Sequence, residues 1–474
     1  MGTTAEVHPN IDARGMPCPG PLMSLIGAVR EAEVGQVIEV WSTDPGSATD
    51  IPAWVRKAGH DLVEVERTAD GTRFVVRKAR SADARPDRGP RGRGGRHPGG
   101  EPPLVRAREG RAGHGRGSDR DARLPAGVPL PRAGAGQRAV ARTGRAHASR
   151  RDVELVVEEA VRVLPDAGTV QLRRGGSLGW DHLVIATGAR LVPEQAPGLV
   201  EGGHDFYSLE GAQRLREELR RFRGGRIHVG VAGIPYKCPP APVEFVLMLD
   251  DLLRRRGIRE RTELTFLSPL GRAFTIEPAS RMVQPLMERR GIRLVTFFNI
   301  ESVDPSAGVV TSLEGEKVET DLLIAVPPHR GQRVIEASGL GDPSGWVPTD
   351  RTTLQAVGHE RIFAIGDATD LPISKSGSTA HFEAPVVASR SVSQIRGSAP
   401  RANYGGRVMC FLETGGRRAT VLRFDYEHPP VPPRPSFVWH AAKWVFNRLY
   451  WETVPRGRIV EPPRGGAGRG GAQP

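Results

Sequence analysis

The sequence predicts an α/β protein, with a small N-terminal two-layer βαβαββ sandwich followed by a larger unit of parallel sheets. Two observations predict this fold class. Residues 1–79 contain a strand, a helix, a strand, a helix and two further strands in that order. Residues 151–400 alternate short apolar strands with helices, which is typical of βαβ units on parallel sheets.

Each element of the N-terminal unit has its own signal. VHPNID indicates the first strand, and PLMSLIGAVREAE carries apolar residues at helical spacing with Pro21 in its first turn. QVIEVWST alternates as a strand does, and SATDIPAWVRKAG predicts a second helix that ends at Gly59. DLVEVER and TRFVVRK flank the turn ADG, which predicts a hairpin. The two helices are therefore expected on one face of the sheet.

The larger unit is predicted from apolar strands and one long helical stretch. In chain order these are LVIATGA, RIHVGVAG, the helix EFVLMLDDLLRRRG, ELTFLSP, RLVTFFN, DLLIAVPP and RIFAIGDA. The region 401–460 closes with the aromatic stretch FVWHAAKWVFNRLYW, and residues 461–474 have the composition of a flexible tail.

Composition limits the class of protein. Three cysteines in 474 residues exclude a disulfide scaffold, and free thiols fit a reducing cytoplasm. No run reaches the roughly 18 apolar residues of a membrane span, and the first residues lack a secretory signal. We therefore expect neither an integral membrane protein nor a conventionally exported one, and no metal site is predicted.

The net charge of +13 belongs mainly to one segment. Residues 81–150 contain 16 Arg, no Lys and 6 Asp or Glu, so they account for +10 of the total. The segment has no Phe, Trp, Tyr or Ile with which to build a core. The charge therefore does not mark the whole chain as a nucleic-acid binder.

Cys18 is the first candidate for chemistry. It lies in the turn DARGMPCPGP between a strand and a helix N-terminus, where unpaired N–H groups favour a thiolate. By this local argument alone, a small buried cysteine is an equally good interpretation. The motif Cys18-Pro19-Gly20-Pro21, with STDPGSATDIPAWVRKAGHDLVEVE after it, resembles the TusA family of sulfur carriers. The resemblance implies that Cys18 carries sulfane sulfur as a persulfide.

Two strand ends are candidates for cofactor binding. One strand ends in Ala186-Thr187-Gly188 and another in Gly366-Asp367. Small residues let the backbone approach a dinucleotide, and an acidic side chain after a strand can bind sugar hydroxyls. The pair resembles the flavoprotein reductases with two dinucleotide domains. The alternative is an unrelated α/β protein with two tight turns.

Cys238 is the third candidate. The loop GIPYKCPPAP follows a strand, at the place where a nicotinamide-binding protein has a glycine-rich phosphate cradle. Pro235, Pro239, Pro240 and Pro242 have no N–H to offer a phosphate. Lys237 and the following helix start are expected to favour a thiolate. The alternative is a structural cysteine in an NAD-binding protein.

IPYKCPPAP, LIAVPPHR, VMCFLETG and FAIGDATDLPISKSGSTAHFEAPVVAS together resemble the sulfide:quinone oxidoreductases and flavocytochrome c sulfide dehydrogenases. The resemblance implies FAD, sulfide or polysulfide as substrate and quinone as acceptor. It also implies that Cys238 holds sulfur beside the flavin. Asp367, Thr187 and Gly188 would then bind the cofactor, with Lys375 near its ring.

Two features depart from this family. A second redox cysteine is missing from 330–375, and Cys410, in an apolar strand, is interpreted as a packing residue. The glycine-rich fingerprint expected before the first strand-end motif is also missing. Residues 80–150, rich in Arg, Gly and Pro, stand in its place. We favour an out-of-frame translation of the first FAD-binding βαβ unit, and a genuine linker that binds RNA or an acidic partner remains the alternative.

The aromatic stretch over 436–451 predicts either a helix at a membrane surface or a helix docked on the flavin domain. The quinone hypothesis favours the membrane surface, and hence a cytoplasmic protein at the inner face of the membrane. The resulting interpretation is a sulfide-oxidising FAD flavoprotein that passes electrons to quinone and sulfur, through Cys18, to acceptor proteins. Another FAD reductase, or a sulfur-relay protein with a non-catalytic flavoprotein remnant, is the alternative.

Overall fold

The N-terminal domain forms a four-stranded sheet in the order β1-β2-β4-β3. The computed structural model describes residues 7–16, 20–79 and 153–453. β1 runs parallel to β2, and the other neighbours are antiparallel. The strands are β1 (Val7–Asp12), β2 (Val37–Ser42), β3 (Asp61–Thr68) and β4 (Gly71–Arg77), and the helices are α1 (Gly20–Glu31) and α2 (Ser47–Lys57).

The two helices cover one face of this sheet because the strand side chains alternate. Ile38 and Phe74 are fully buried with Trp54 of α2. Glu39, the next residue along β2, lies on the other face and pairs with Arg73 at 2.9 Å. The predicted two-layer sandwich is therefore confirmed over the described part of residues 1–79.

The remaining strands and helices follow in chain order. The strands are β5 (Ala160–Leu164), β6 (Thr169–Leu172), β7 (Ser177–Gly179), β8 (Leu183–Ile185), β9 (Ala189–Leu191), β10 (Gly203–His204), β11 (Gly225–Val231), β12 (Thr262–Leu267), β13 (Ile292–Val295), β14 (Ile300–Asp304), β15 (Val309–Ser312), β16 (Lys317–Glu319), β17 (Leu322–Val326), β18 (His329–Gly331), β19 (Ile362–Ala364), β20 (Val408–Gly415) and β21 (Arg418–Phe424). The helices are α3 (Leu199–Gly202), α4 (Leu209–Arg221), α5 (Ala241–Arg255), α6 (Glu277–Arg289), α7 (Arg333–Ser338), α8 (Gly377–Ile395) and α9 (Phe437–Thr453).

A five-stranded parallel sheet in the order β10-β17-β11-β12-β13 forms the centre of the larger unit. The central strands β11 and β17 are buried on both faces over most of their length, as expected of a parallel sheet covered by helices. Phe245 and Leu249 of α5 are fully buried against Val229 of β11 and its neighbours. This sheet places the end of β11, and therefore the loop that contains Cys238, at its carboxyl edge.

A second, smaller parallel pair joins β8 to β19, with Leu183 opposite Ile362 and Ile185 opposite Ala364. Carboxyl ends of parallel strands meet at one edge of a sheet. The two strand-end motifs, some 180 residues apart in the sequence, therefore lie side by side.

The N-terminal domain docks on the larger unit through α2. Trp54 donates its indole N–H to Glu314 at 2.9 Å, and Asp50 pairs with Arg272 at 2.6 Å. Lys57 pairs with Glu316 at 2.9 Å. Phe297 of the larger unit joins the apolar cluster that forms the core of the N-terminal domain. The contact thus combines an apolar centre with directional polar bonds.

Within the described ranges, no helix has the length and apolar character that a bilayer crossing requires.

Asp50→Ala is expected to lower the free energy of unfolding by about 2–4 kcal/mol, because it takes a carboxylate from the largely buried Arg272. The midpoint of urea unfolding, followed by tryptophan fluorescence, measures this loss. The matched control is Glu217→Ala, which breaks the exposed pair with Arg220 and should change stability by no more than about 0.5 kcal/mol. If the two substitutions lower the free energy of unfolding equally, the ion pair between Asp50 and Arg272 stabilises the protein no more than an exposed pair does.

Candidate functional site

The two neighbouring strand ends form the first part of the site. β8 continues into Ala186, Thr187 and Gly188, and Gly188 has a φ of +67° with open space where a Cβ would stand. Gly366 follows β19 with a φ of +65°. Both positions use backbone conformations that favour glycine. The strand ends therefore expose main chain at the shared edge, and cofactor binding there stays a prediction.

Two carboxyl groups lie behind this edge. Glu383 of α8 is completely buried, and its Oε2 accepts a hydrogen bond from the Gly366 N–H at 2.6 Å. Burial raises the pKa of Glu383 to about 7. Burial also raises the pKa of Asp367, which is half-buried. The sequence analysis missed Glu383, because a single acidic residue inside a helix gives no local signal.

Lys375 is the buried cation of the site. Its Nζ donates to the carbonyl oxygens of Thr369 and, at 3.5 Å, Asp367, and it lies 4.0 Å from the ring centre of Trp346. Burial lowers the pKa of Lys375 to about 8. The ammonium group therefore remains mostly protonated at neutral pH, beside the strand end that holds Asp367.

These residues fit one side of a flavin dinucleotide. Among the described residues, Glu383 Oε1, Ser374 Oγ and His329 Nε2 are buried polar atoms without a hydrogen-bond partner. Buried polar groups normally have partners, so these atoms are available to a ligand at the same edge. The glycine-rich phosphate loop would be expected at the position of residues 80–152, which lie outside the described ranges.

The Cys238 loop connects β11 to α5 and reaches the segment between β19 and α8. The Cys238 N–H donates to the Lys375 carbonyl at 2.6 Å, and the Cys238 carbonyl accepts from Ala241 at 2.9 Å and from the Tyr207 hydroxyl at 3.4 Å. Cys238 has a φ of +54°, an uncommon conformation for a residue with a side chain. The structure therefore brings the backbones of Cys238 and Lys375 together, while the position of a flavin beside this thiol stays a prediction.

The ionisation of Cys238 differs from the expectation. Its side chain is exposed, so a small molecule can reach it, but dense surrounding protein desolvates the sulfur. This burial raises the pKa of the thiol, and Cys410 and Glu244 raise it further. Lys443 and the Ala241 N–H lower it by less. The prediction that a cation and the helix start favour the thiolate is therefore wrong in sign, because tertiary packing outweighs them.

Cys410 lies in β20. It packs against the core of the larger unit, as its apolar strand predicted. Burial raises the pKa of its thiol, and the Ser376 and Ser378 hydroxyls lower that pKa by less.

Tyr207 and His329 form the wall beside the Cys238 loop. Their rings meet edge to face with centres 5.4 Å apart. The Nδ1 atom of His329 hydrogen-bonds with the Pro327 carbonyl at 2.8 Å, and burial lowers the pKa of His329 to about 4. This imidazole is therefore neutral at physiological pH. Neither residue was identified from the sequence.

A buried ion pair joins α5 to the C-terminal helix. Lys443 of α9 donates to Glu244 of α5 at 2.7 Å, and Glu244 also accepts the Glu413 N–H at 2.9 Å. Glu244 lies six residues after Cys238, so the ion pair connects α9 to the first turn of the helix that follows the Cys238 loop.

Cys18 lies outside the described residues, between Met16 and Gly20. Ile234 of the Cys238 loop packs against the apolar core of the N-terminal domain. The N-terminal domain and the Cys238 loop are therefore in contact.

Two family models match the chain. The TusA sulfurtransferase model matches residues 10–78, and the pyridine nucleotide-disulphide oxidoreductase model matches residues 91–390. The second match covers more than half of the chain and begins inside the Arg-rich segment.

The similar curated proteins also fall into two groups, one similar to the larger unit and one similar to the N-terminal domain. The chain is 28% identical over 320 residues to the mitochondrial sulfide:quinone oxidoreductase of Dictyostelium discoideum, covering 64% of this chain and 71% of that protein. It is 26% identical to the sulfide-quinone reductase of Aquifex aeolicus, covering 65% and 77%. A putative sulfur carrier protein of Archaeoglobus fulgidus is 57% identical over 68 residues, covering 14% of this chain and 93% of that protein.

Among solved structures, the sulfide:quinone oxidoreductase of Aquifex aeolicus matches with a TM-score of 0.58 and 23% identity, over 67% of this chain and 79% of that one. At this identity the match shows the fold, and it confirms the predicted Rossmann-like architecture. The two resemblances found in the sequence are likewise confirmed. The chain therefore belongs to the pyridine nucleotide-disulphide oxidoreductase family of flavin-dependent oxidoreductases and carries a TusA-family domain at its N-terminus.

Proposed function

We propose that this protein oxidises sulfide to sulfane sulfur on Cys238, passes the electrons through FAD to quinone, and transfers the sulfur to Cys18 of its N-terminal domain. The observation that carries the proposal is the hydrogen bond from the Cys238 N–H to the Lys375 carbonyl at 2.6 Å. It holds an exposed thiol at the edge where two strand ends offer a flavin site. Relatives named as sulfide:quinone oxidoreductases support the substrate and the acceptor.

The residues at the strand ends would hold the cofactor. The main chain of Ala186, Thr187 and Gly188 would lie along it, and the Gly366 turn would bring the Asp367 carboxyl to its hydroxyl groups. Lys375 would place positive charge near the ring. Bound FAD supplies a two-electron acceptor.

The chemistry at Cys238 is a two-electron oxidation of hydrosulfide. The hydrosulfide sulfur would become bonded to the Cys238 sulfur as a persulfide with loss of the thiol proton, and bound FAD would supply the acceptor for the electron pair, with quinone as the final oxidant. The exposed Cys238 side chain admits a small nucleophile, and Tyr207 and His329 shield one side of its loop.

A nicotinamide cofactor fits this loop poorly. Gly233, where a phosphate cradle would need open backbone, packs so tightly on Pro328 that an added Cβ would stand 2.9 Å from its ring. Proline residues 235, 239 and 240 lack an N–H, and the Cys238 N–H is already bonded to Lys375. This observation favours sulfide over NADH as the electron donor.

The outer side of α9 supports a contact with the membrane surface that holds the quinone. Val438 is 70% exposed and Leu449 is 49% exposed, and Trp444 and Val445 lie between them along the helix. The inward-facing Lys443 pairs with Glu244, so the apolar side points away from the protein. We place the protein in the cytoplasm, peripherally at the membrane's inner face, with sulfur-acceptor proteins as further partners.

Anaerobic titration of the purified full chain with sulfide is expected to bleach the flavin absorbance, and a soluble quinone should restore it. In Cys238→Ser the bleaching by sulfide is lost, because the atom that accepts the sulfur is missing. Dithionite should still reduce the variant's flavin, which controls for cofactor loss. Rapid reduction by NADH with no response to sulfide would overturn the proposal.

Single-turnover labelling with radioactive sulfide is expected to place sulfur on Cys18 in the wild-type chain and not in Cys238→Ser, since the sulfur passes through Cys238. Peptide mapping of the label measures this. As a control, polysulfide added directly should load Cys18 in both proteins. Loading from sulfide alone in Cys238→Ser would exclude the transfer route.

Replacing Val438, Val445 and Leu449 together by Ser is expected to weaken flotation with anionic phospholipid vesicles by at least about tenfold, because burial of these side chains provides the membrane affinity. Lys443 is kept, so the ion pair with Glu244 survives. The control replaces the exposed Val392 and Ile395 of α8 by Ser and should leave flotation unchanged. Unchanged flotation of the α9 variant would contradict the membrane contact.

A further inference from the structure

We propose that the contact made by α2 is a docking site which orients the N-terminal domain, with the starts of its two helices toward the Cys238 loop. On the larger unit the docking site consists of Arg272, Phe297, Glu314 and Glu316. This inference rests on the proposed function and deepens it, because it assigns the surface through which the sulfur donor and the sulfur carrier meet.

The N-terminal domain presents one side of α2 to the docking site. Asp50, Trp54 and Lys57 follow one another at intervals of four and three residues, so they lie along the same side of the helix. Ile51 and Val55, on the adjacent side, are buried in the core of the domain itself. The helix therefore uses one side to hold its own domain together and another to contact the larger unit.

The polar groups of the docking site are fixed by the larger unit itself. Glu314 is buried, and its carboxylate accepts the main-chain N–H of Asn299 at 3.1 Å and the side-chain amide of Asn299 at 2.6 Å. The Trp54 indole adds a third hydrogen bond to a carboxylate that is already positioned. The Arg272 carbonyl accepts the Ser268 hydroxyl at 2.5 Å, which holds Arg272 near the end of β12.

The apolar centre of the docking site has an uncommon backbone. Phe297 has a φ of +49°, and its N–H donates to the Leu270 carbonyl at 2.9 Å. Its ring packs on Gly271 so closely that an added Cβ would stand 2.6 Å from a ring atom. A left-handed conformation of a residue with a side chain persists only where its surroundings fix it. Here the conformation places the ring in the apolar cluster of the N-terminal domain.

The contacts show how α2 lies on the central sheet. Asp50, in its first turn, pairs with Arg272, which follows β12. Lys57, its last residue, donates to the carbonyl of Thr296, which directly follows β13. These strands are parallel, and β12 lies between β11 and β13, so their carboxyl ends share one edge. The start of α2 is therefore nearer to β11, and to the Cys238 loop, than its end is.

The start of α2 is also the end of the domain that carries the Cys18 motif. β1 and β2 are parallel neighbours, so the turns that follow them leave the small sheet at the same edge. The Gly15 N–H donates to the Thr43 hydroxyl at 2.9 Å and joins the two turns. Cys18 follows Gly15 by three residues in the sequence. The contact of Ile234 with the core of this domain agrees with the orientation, because Ile234 belongs to the Cys238 loop.

The reaction that this orientation serves is an exchange between two thiols. The Cys18 thiolate bonds to the outer sulfur of the Cys238 persulfide, the bond between the two sulfur atoms of that persulfide breaks, and Cys238 leaves as a thiolate. No electrons enter or leave in this step. Its rate depends on access to the outer sulfur and on alignment of the reacting atoms, so a fixed orientation is expected to raise it.

Thiol cross-linking of the full chain with a short bis-maleimide, in the absence of sulfide, tests the orientation directly. Trypsin cuts after Arg14 and Lys237, so Cys18 and Cys238 fall on separate peptides. We expect mass spectrometry to find these two peptides joined in the wild-type protein.

Exchange of one charge pair shows whether the docking site sets this proximity. Lys57 and Glu316 are partly exposed and pair at 2.9 Å, so replacing them leaves the cores intact. Lys57→Glu and Glu316→Lys each place like charges opposite each other and should lower the cross-linking yield at least about fivefold. Combining the two substitutions should recover at least about threefold of this loss. Arg67→Glu makes the same charge change on the exposed β3 and should leave the yield unchanged.

The rate of sulfur transfer provides the second measurement. In single turnovers with labelled sulfide, each single variant should slow the passage of label from Cys238 to Cys18 at least about fivefold, with recovery in the combined variant. Removal of the label from Cys238 by cyanide should stay at the wild-type rate in all of them, because a small free nucleophile does not need the docking site.

The inference is lost if the wild-type peptides are not joined, if both single variants cross-link or transfer sulfur as the wild type does, or if the combined variant shows no recovery. If labelled sulfide never reaches Cys238 in the wild type, the proposed function fails instead. The cross-link and its response to charge exchange, both obtained without sulfide, still support the docking site in that case.

Discussion

One hydrogen bond, from the Cys238 N–H to the Lys375 carbonyl, governs the arrangement of the site. Cys238 belongs to the loop after β11 of the five-stranded sheet, and Lys375 belongs to the segment after β19 of the smaller sheet. Each sheet is held by its own core, so neither positions the thiol by itself. Cys238 has a left-handed backbone conformation and is followed by prolines, and its N–H points toward the segment that contains Lys375. The thiol is therefore placed by main chain, which responds little to changes of side chains nearby.

The buried Glu244 has a comparable role on the other side of the loop. A buried carboxylate is costly unless it is neutralised and hydrogen-bonded, and Lys443 and the Glu413 N–H meet both needs. This ion pair lies at the point where α5, β20 and α9 meet. An apolar residue could fill that volume but could not specify which strand and which helix pack there. The ion pair thus contributes more to the register of these elements than to overall stability.

The sequence predicts those parts of the molecule that depend on local pattern. The strands of both units follow from apolar runs, whereas the pairing of β8 with β19, which puts the two candidate strand ends side by side, is seen only in the structure. Glu383 and His329 are absent from such a prediction because each gains its role from partners distant in the chain. The predicted direction of the Cys238 pKa shift is wrong for the same reason, because desolvation depends on tertiary packing. The boundaries of residues 80–150 and the role of Cys18 stay predictions.

The contact made by α2 has a consequence for how a labile product travels. Trp54, Asp50 and Lys57 fasten the small domain to the unit that contains Cys238, and the peptide chain tethers it as well. A tethered acceptor meets its donor at an effective concentration in the millimolar range or above, about a thousandfold beyond that of a separate micromolar carrier. Sulfur bound in this way would be handed over before bulk thiols could scavenge it, and every donor would come with one dedicated recipient.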